Sequence, residues 1–220
     1  MSAESPAFSS RLRQATRVDH TEAESSEFIT SLMEGARSGA DYVLLLAQYR
    51  PLYAALESAT ARWRHEPAVA DLFDPALDRL AALDADLPRL AEWASLREVP
   101  AVVPAAEAYA RRITATGAMN DPGRLVAHHY LRYLGDLSGG QAIGALVARH
   151  YGVPADLLRM WEFPSIPKPK PYKERYRGLL DAFAAQHDGD AVVHEAALGF
   201  RLNRDVFGEL SRRSPQLATV

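Results

Sequence analysis

Apolar residues recur along this chain at spacings of three and four. Tyr42, Leu45, Leu46, Tyr49, Tyr53 and Leu56 form one such stripe, which on a helix is a single buried face. Val193, Ala196, Ala197, Phe200, Phe207 and Leu210 repeat the pattern near the C-terminal end. Strict apolar–polar alternation between tight turns, the mark of hairpins, is missing from the sequence. The pattern predicts helices over 9–27, 38–66, 75–93, 103–118, 122–150, 172–187 and 190–212. Ser38 and Asp121 suit N-cap positions, and Pro122 suits a first helical residue. Pro51 falls inside the second helix and predicts a kink or a split there. Residues 163–173, FPSIPKPKPYK, carry four prolines and predict a non-helical connector. The expected architecture is all-α: a single-domain helical bundle over 9–212, with flexible ends at 1–8 and 213–220.

Composition narrows the chemistry. A length of 220 residues with 48% hydrophobic content supports a core that needs no disulfide or structural metal. A formal charge of −3 gives no reason to expect a nucleic-acid partner. The chain has no cysteine. Disulfides, thiolate nucleophiles, iron–sulfur clusters and thiolate-ligated heme are thereby excluded. The N-terminal segment has no apolar run, and the longest apolar stretch, 42–47, is too short to span a bilayer. A soluble, cytoplasmic protein without signal peptide or membrane anchor is expected.

One segment is locally inconsistent. Residues 122–150 are flanked by good helix formers, yet they contain Gly135, Gly139, Gly140 and Gly144. Each glycine in a helix interior costs about 1 kcal/mol relative to alanine. Two compensations are open on the residues alone. Another element could pack closely on the bare backbone, or a ligand could lie flat against it. Arg132, Asp136 and Gly139/Gly140 share one helix face. An exposed Arg132–Asp136 pair would explain the charges but not the glycines.

The run HHYLRYLGDLSGGQ (128–141) resembles the signature segment of the heme oxygenase family. LRQATRVDHTEAESSEF (12–28) is similar to that family's proximal-helix segment, and FRLNRDVFGEL (200–210) also agrees. The likeness covers nearly the whole chain. It implies heme b held between a proximal helix and a kinked distal helix. His20 would be the axial iron ligand and Glu24 its hydrogen-bonding partner. Taken alone, a helical histidine is more often a surface or satisfied core residue than a ligand, and it is the resemblance that assigns the role. On the distal side Gly135 and Gly139 would admit the porphyrin face and O₂, with Ser138 and Gly140 beside them. Asp136 would organise proton delivery, supported by Arg132 and Tyr53. Arg13, Tyr130, Lys173 and Arg177 match positions that contact the heme propionates. Arg13 stands where lysine is commoner, and an arginine keeps the charge and adds bidentate reach.

The implied reaction opens heme to biliverdin, expected as the IXα isomer, with release of CO and Fe²⁺. It consumes O₂ and external electrons. No glycine-rich dinucleotide motif follows a strand here, so a ferredoxin or flavoprotein reductase is the expected redox partner of a monomer. Two other readings compete. A heme carrier or sensor would have no use for Asp136. A thiaminase-like hydrolase on the same fold would need a cysteine.

Overall fold

The computed structural model describes residues 6–217. It holds α1 (Phe8–Ala15), α2 (Arg17–Glu24), α3 (Glu27–Met33), α4 (Gly39–Ala61), α5 (Leu80–Trp93), α6 (Pro104–Gly117), α7 (Gly123–His129), α8 (Gly135–Tyr151), α9 (Pro169–Ala184) and α10 (Gly189–Leu217). No strand occurs among the described residues. The fold is all-α, as expected.

Where boundaries differ from expectation, the cause is local. The helix predicted over 9–27 is broken at Thr16, whose φ of −95° and ψ of 4° leave the helical region. Thr16 Oγ1 donates to the Leu12 carbonyl at 2.8 Å, a side-chain bond that competes with the backbone ladder. Ladder bonds still run on both sides of it, Thr16 N–H to Leu12 O and His20 N–H to Thr16 O. The stretch between the first two predicted helices contains another helix, α3, which buries Phe28 and Leu32. The proline segment is corrected at its end, because α9 starts at Pro169 and takes in Pro171. First-turn N–H groups have no helical partner, so prolines there forfeit nothing. At the chain ends, α1 starts at Phe8 and α10 runs on to Leu217, inside the two segments expected to be flexible. Residues 1–5 and 218–220 lie outside the described residues.

The middle of the bundle is α4. Ser38 and Asp41 close a reciprocal capping box at its start. Every residue from Asp41 to Tyr49 is buried, so this half is enclosed all round and not on one stripe. Leu45, Leu46, Leu52 and Leu56 are fully or almost fully buried, each worth about 1.5–3 kcal/mol of burial. Gln48, also buried, donates to the Leu44 and Ala101 carbonyls and accepts from Val103 N–H at 2.7 Å. Pro51 neither ends nor splits the helix. Around α4 pack α5, α6 and α10, while α10 also meets α2, α3, α6 and α7.

The glycine-rich segment is helical throughout, but its irregularity precedes the glycines. Tyr130–Leu134 form a π-helical turn between α7 and α8. Such turns are rare and concentrate at functional sites. Gly152, at φ 71°, closes α8 in the left-handed conformation.

Candidate active site

The π turn and the first turn of α8 face α4 with a charged cluster. Tyr53, Arg132 and Asp136 are 0%, 5% and 8% exposed. Arg132 and Asp136 are bridged by Tyr53. Its hydroxyl donates to Asp136 Oδ2 in a short hydrogen bond. It accepts from Arg132 Nε and Nη2 at 3.2 and 3.0 Å. The guanidinium also lies 4.2 Å from the Tyr49 ring centroid and donates to Asn203 Oδ1 at 3.2 Å. The surface-pair reading therefore fails. Burial pushes the Asp136 carboxyl above the usual carboxylate range, while Arg132, the Tyr53 hydroxyl and Arg79 oppose that rise. Burial disfavours the Arg132 cation, but Tyr53, Tyr49 and Asp136 outweigh it and hold the proton firmly.

The glycines divide into two pairs. A Cβ built on Gly135 or Gly139 meets nothing within 4 Å. A Cβ on Gly140 or Gly144 would stand 3.1 or 3.3 Å from Trp161. Close packing on bare backbone thus operates at Gly140 and Gly144, while the backbone at Gly135 and Gly139 faces open space. At Gly140, expected among the heme contacts, the Cβ direction points at Trp161. One residue further along an α-helix is about 100° further round.

The expected iron ligand lies on α2. His20 Nδ1 lies 3.2 Å from Glu24 Oε2, and the two side chains are 48% and 70% exposed. That contact uses one ring nitrogen and leaves Nε2 to meet a metal. The His20 ring stands edge-on to Phe200 of α10, with centroids 5.4 Å apart. Asn203, three residues on, reaches the Arg132 cluster. Helix α10 thereby touches both His20 and the Arg132 cluster.

The predicted basic rim is brought together. Burial raises the Tyr130 phenol, and the Arg177 and Arg13 cations beside it oppose that shift. Lys173 Nζ donates to Ser138 Oγ at 3.1 Å, linking α9 to the glycine face. Arg13, Arg177 and Ser138 are exposed. The arrangement presents one exposed imidazole, a helix face without side chains, three cations and a buried carboxylate.

A family model described as heme oxygenase matches residues 6–209. The chain belongs to the heme oxygenase family. It is 34% identical to heme oxygenase 1 of Rattus norvegicus over 209 residues, covering 92% of this chain and 71% of that protein. Identity to heme oxygenase 1 of a Nostoc species is 33% over 207 residues, 92% and 85% of the two chains. Among solved structures it is similar to heme oxygenase-1 from Synechocystis in complex with heme. That match has TM-score 0.84 and 28% identity and covers 96% of this chain and 95% of the other. Heme oxygenase-2 from Synechocystis, in complex with heme and NO, matches with TM-score 0.85 and 30% identity over 96% and 88%.

The residues present fit heme. The open face at Gly135 and Gly139 admits a flat ring, and the cations suit its two carboxylates. Among the described residues no helix is long and apolar enough to cross a membrane. Sequence reasoning passed over Asn203 and Trp161 in this heme oxygenase family member. Asn203 carried a usable signal, since it interrupts the stripe Phe200–Val206–Phe207 with an amide that must find a partner once buried. Trp161 carried none.

Proposed function

We propose that His20 and the Gly135–Gly139 face form the two walls between which this heme oxygenase seats its substrate. The observation that carries this is the juxtaposition of two side-chain-free helix positions with the buried Tyr53–Arg132–Asp136 cluster. The reaction is the family's: heme is opened to biliverdin. When bound, heme supplies the iron at which O₂ is reduced, and it is also the ring that is cut.

The chain's own residues do the rest. His20 Nε2 would hold the metal, while Glu24 fixes the ring's orientation through Nδ1. Arg13, Lys173, Arg177 and Tyr130 would orient the propionates. Asp136 would hold and pass protons through water, with its carboxylate geometry set by Tyr53 and charge balanced by Arg132. Gly135 and Gly139 keep side chains out of the space where gas must bind. We assign electron supply to a ferredoxin or flavoprotein reductase, and a monomeric, cytoplasmic state to the protein.

The test is titration with heme followed by reductant in air. One Soret-absorbing complex should form, then bleach as biliverdin appears. Binding without ring loss would overturn the enzymatic reading in favour of a carrier.

A further inference from the structure

Helix α8 is bounded on two sides. Its Gly135–Gly139 face is open, and its Gly140–Gly144 face rests on one indole. That indole is itself fixed. Trp161 is buried and donates Nε1–H to Tyr42 Oη at 2.9 Å, a hydroxyl of the enclosed half of α4. The 3-10 turn Arg159–Trp161 that carries it is also pinned. Asp86 Oδ2 accepts from Arg159 N–H at 3.0 Å, and Asp86 Oδ1 pairs with Arg159 Nη1 at 3.1 Å. The Arg79 guanidinium donates to the Glu162 carbonyl just beyond the turn.

We infer that Trp161 is a positioning residue for ring cleavage. Its indole is a back-stop that sets how far α8 stands from the porphyrin, and so which edge of the ring is cut. The inference rests on the heme-wall reading above. The physical link is short. Gly139 and Gly140 are adjacent, and Asp136 lies one turn before Gly140, so a rigid helix displaced at the indole moves both the open face and the proton donor. Packed interiors pass such displacements on and do not absorb them.

Two substitutions push in opposite directions. Trp161→Phe removes the Nε1–H bond to Tyr42 and part of the ring, letting α8 retreat from the heme. Gly140→Ala adds a methyl where only 3.1 Å is available and drives α8 towards the heme. Purified protein is compared by heme dissociation constant, melting temperature without heme, C–O stretching frequency with carbon monoxide as probe, and the isomers of biliverdin formed.

Gly140→Ala should weaken heme binding about tenfold, the scale of one overpacked methyl. The two variants should move the C–O stretch in opposite senses, and both should raise the share of minor isomers. The double variant should return heme affinity to within about threefold of the parent, as expected for groups in contact. If Gly140→Ala does not fold, Gly144→Ala, 3.3 Å from the same ring, replaces it, and Tyr42→Phe, which removes the acceptor of the indole N–H, replaces Trp161→Phe. Lower melting temperatures with unchanged stretch and isomer pattern would reduce Trp161 to ordinary packing and overturn the proposal. Failure of the parent protein to bind heme would instead overturn the reading on which it rests.

Discussion

The two proposed walls are built differently: the α8 side is buried and bonded within itself, and the α2 side is exposed. Tyr53, Arg132 and Asp136 are buried and bonded to one another, with Asn203 closing the set. His20 and Glu24 are largely exposed on an eight-residue helix. That helix packs on α10 through buried Ala23 and the His20–Phe200 contact, and its rim carries Arg201–Asp19 at 3.6 Å and Arg204–Glu22. Exposed ion pairs of this sort contribute about 0–1 kcal/mol each. The contrast matches the demands on each side. Proton delivery needs dipoles fixed in advance, since reorganising them would add to the barrier. Metal ligation asks for one ring nitrogen held in orientation, which the Glu24 contact supplies.

The comparison is open to attack in four ways. The largest effect is expected at His20. His20→Ala should lose turnover while weak heme binding persists, and added imidazole should restore part of the rate. Full turnover without imidazole would remove His20 from the mechanism.

Next comes Asp136→Asn, which should slow ring opening about 100-fold, the usual scale for a lost proton relay. Heme affinity should stay near that of the parent. The parent's rate should fall on the acid side at a pH above the ordinary carboxylate range, because burial raises Asp136. The variant should lack that limb. Equal losses of rate and affinity would mean that Asp136 serves binding.

The third test is acid stability. Burial lowers the His129 imidazole to about 3, and it lowers His128 as well. Below about 6.5 the unfolded chain takes up protons that these folded histidines refuse, so stability falls as pH falls. For His129 the decline should reach about 1.4 kcal/mol per pH unit and flatten near pH 3. Urea melts of His129→Gln from pH 7 to 4 should show a shallower slope. An identical slope would place the acid sensitivity elsewhere.

The smallest effect belongs to the proximal ties. Arg201→Ala with Arg204→Ala should weaken heme binding only about threefold, as two surface pairs allow. The parent's heme affinity should depend more on salt than the variant's. A loss as large as that of His20→Ala would show the proximal helix to be as preorganised as the distal one.

The walls were unequally legible in the sequence. The distal segment announced itself because four glycines in a helix are costly and an aspartate beside them is unexpected. Even so, spacing could not divide the glycines into an open pair and a packed pair. That division depends on Trp161, which approaches from a short turn with no periodic relation to α8. The hydroxyl of Tyr53 was equally silent, since a tyrosine in an apolar stripe reads as core. Its role came from family resemblance, and its bonding came from the structure. On the proximal side His20 gave almost no signal of its own. The π turn was invisible because YLRYL contains nothing that disfavours an ordinary helix. The start of α9 was misplaced because prolines were read as breakers where the first turn tolerates them.

The turn at Tyr130–Leu134 sets the rotational phase of everything after it. A π turn takes up about one residue more than an α turn, so the following side chains are carried about 100° round the axis. The assignment of Gly135 and Gly139 to the open side, and of Gly140 and Gly144 to the indole, therefore depends on what happens upstream as much as on the glycine spacing. If the same five residues took ordinary α geometry, the composition would be unchanged and the glycines would turn about 100° round the axis, taking the open pair off its side.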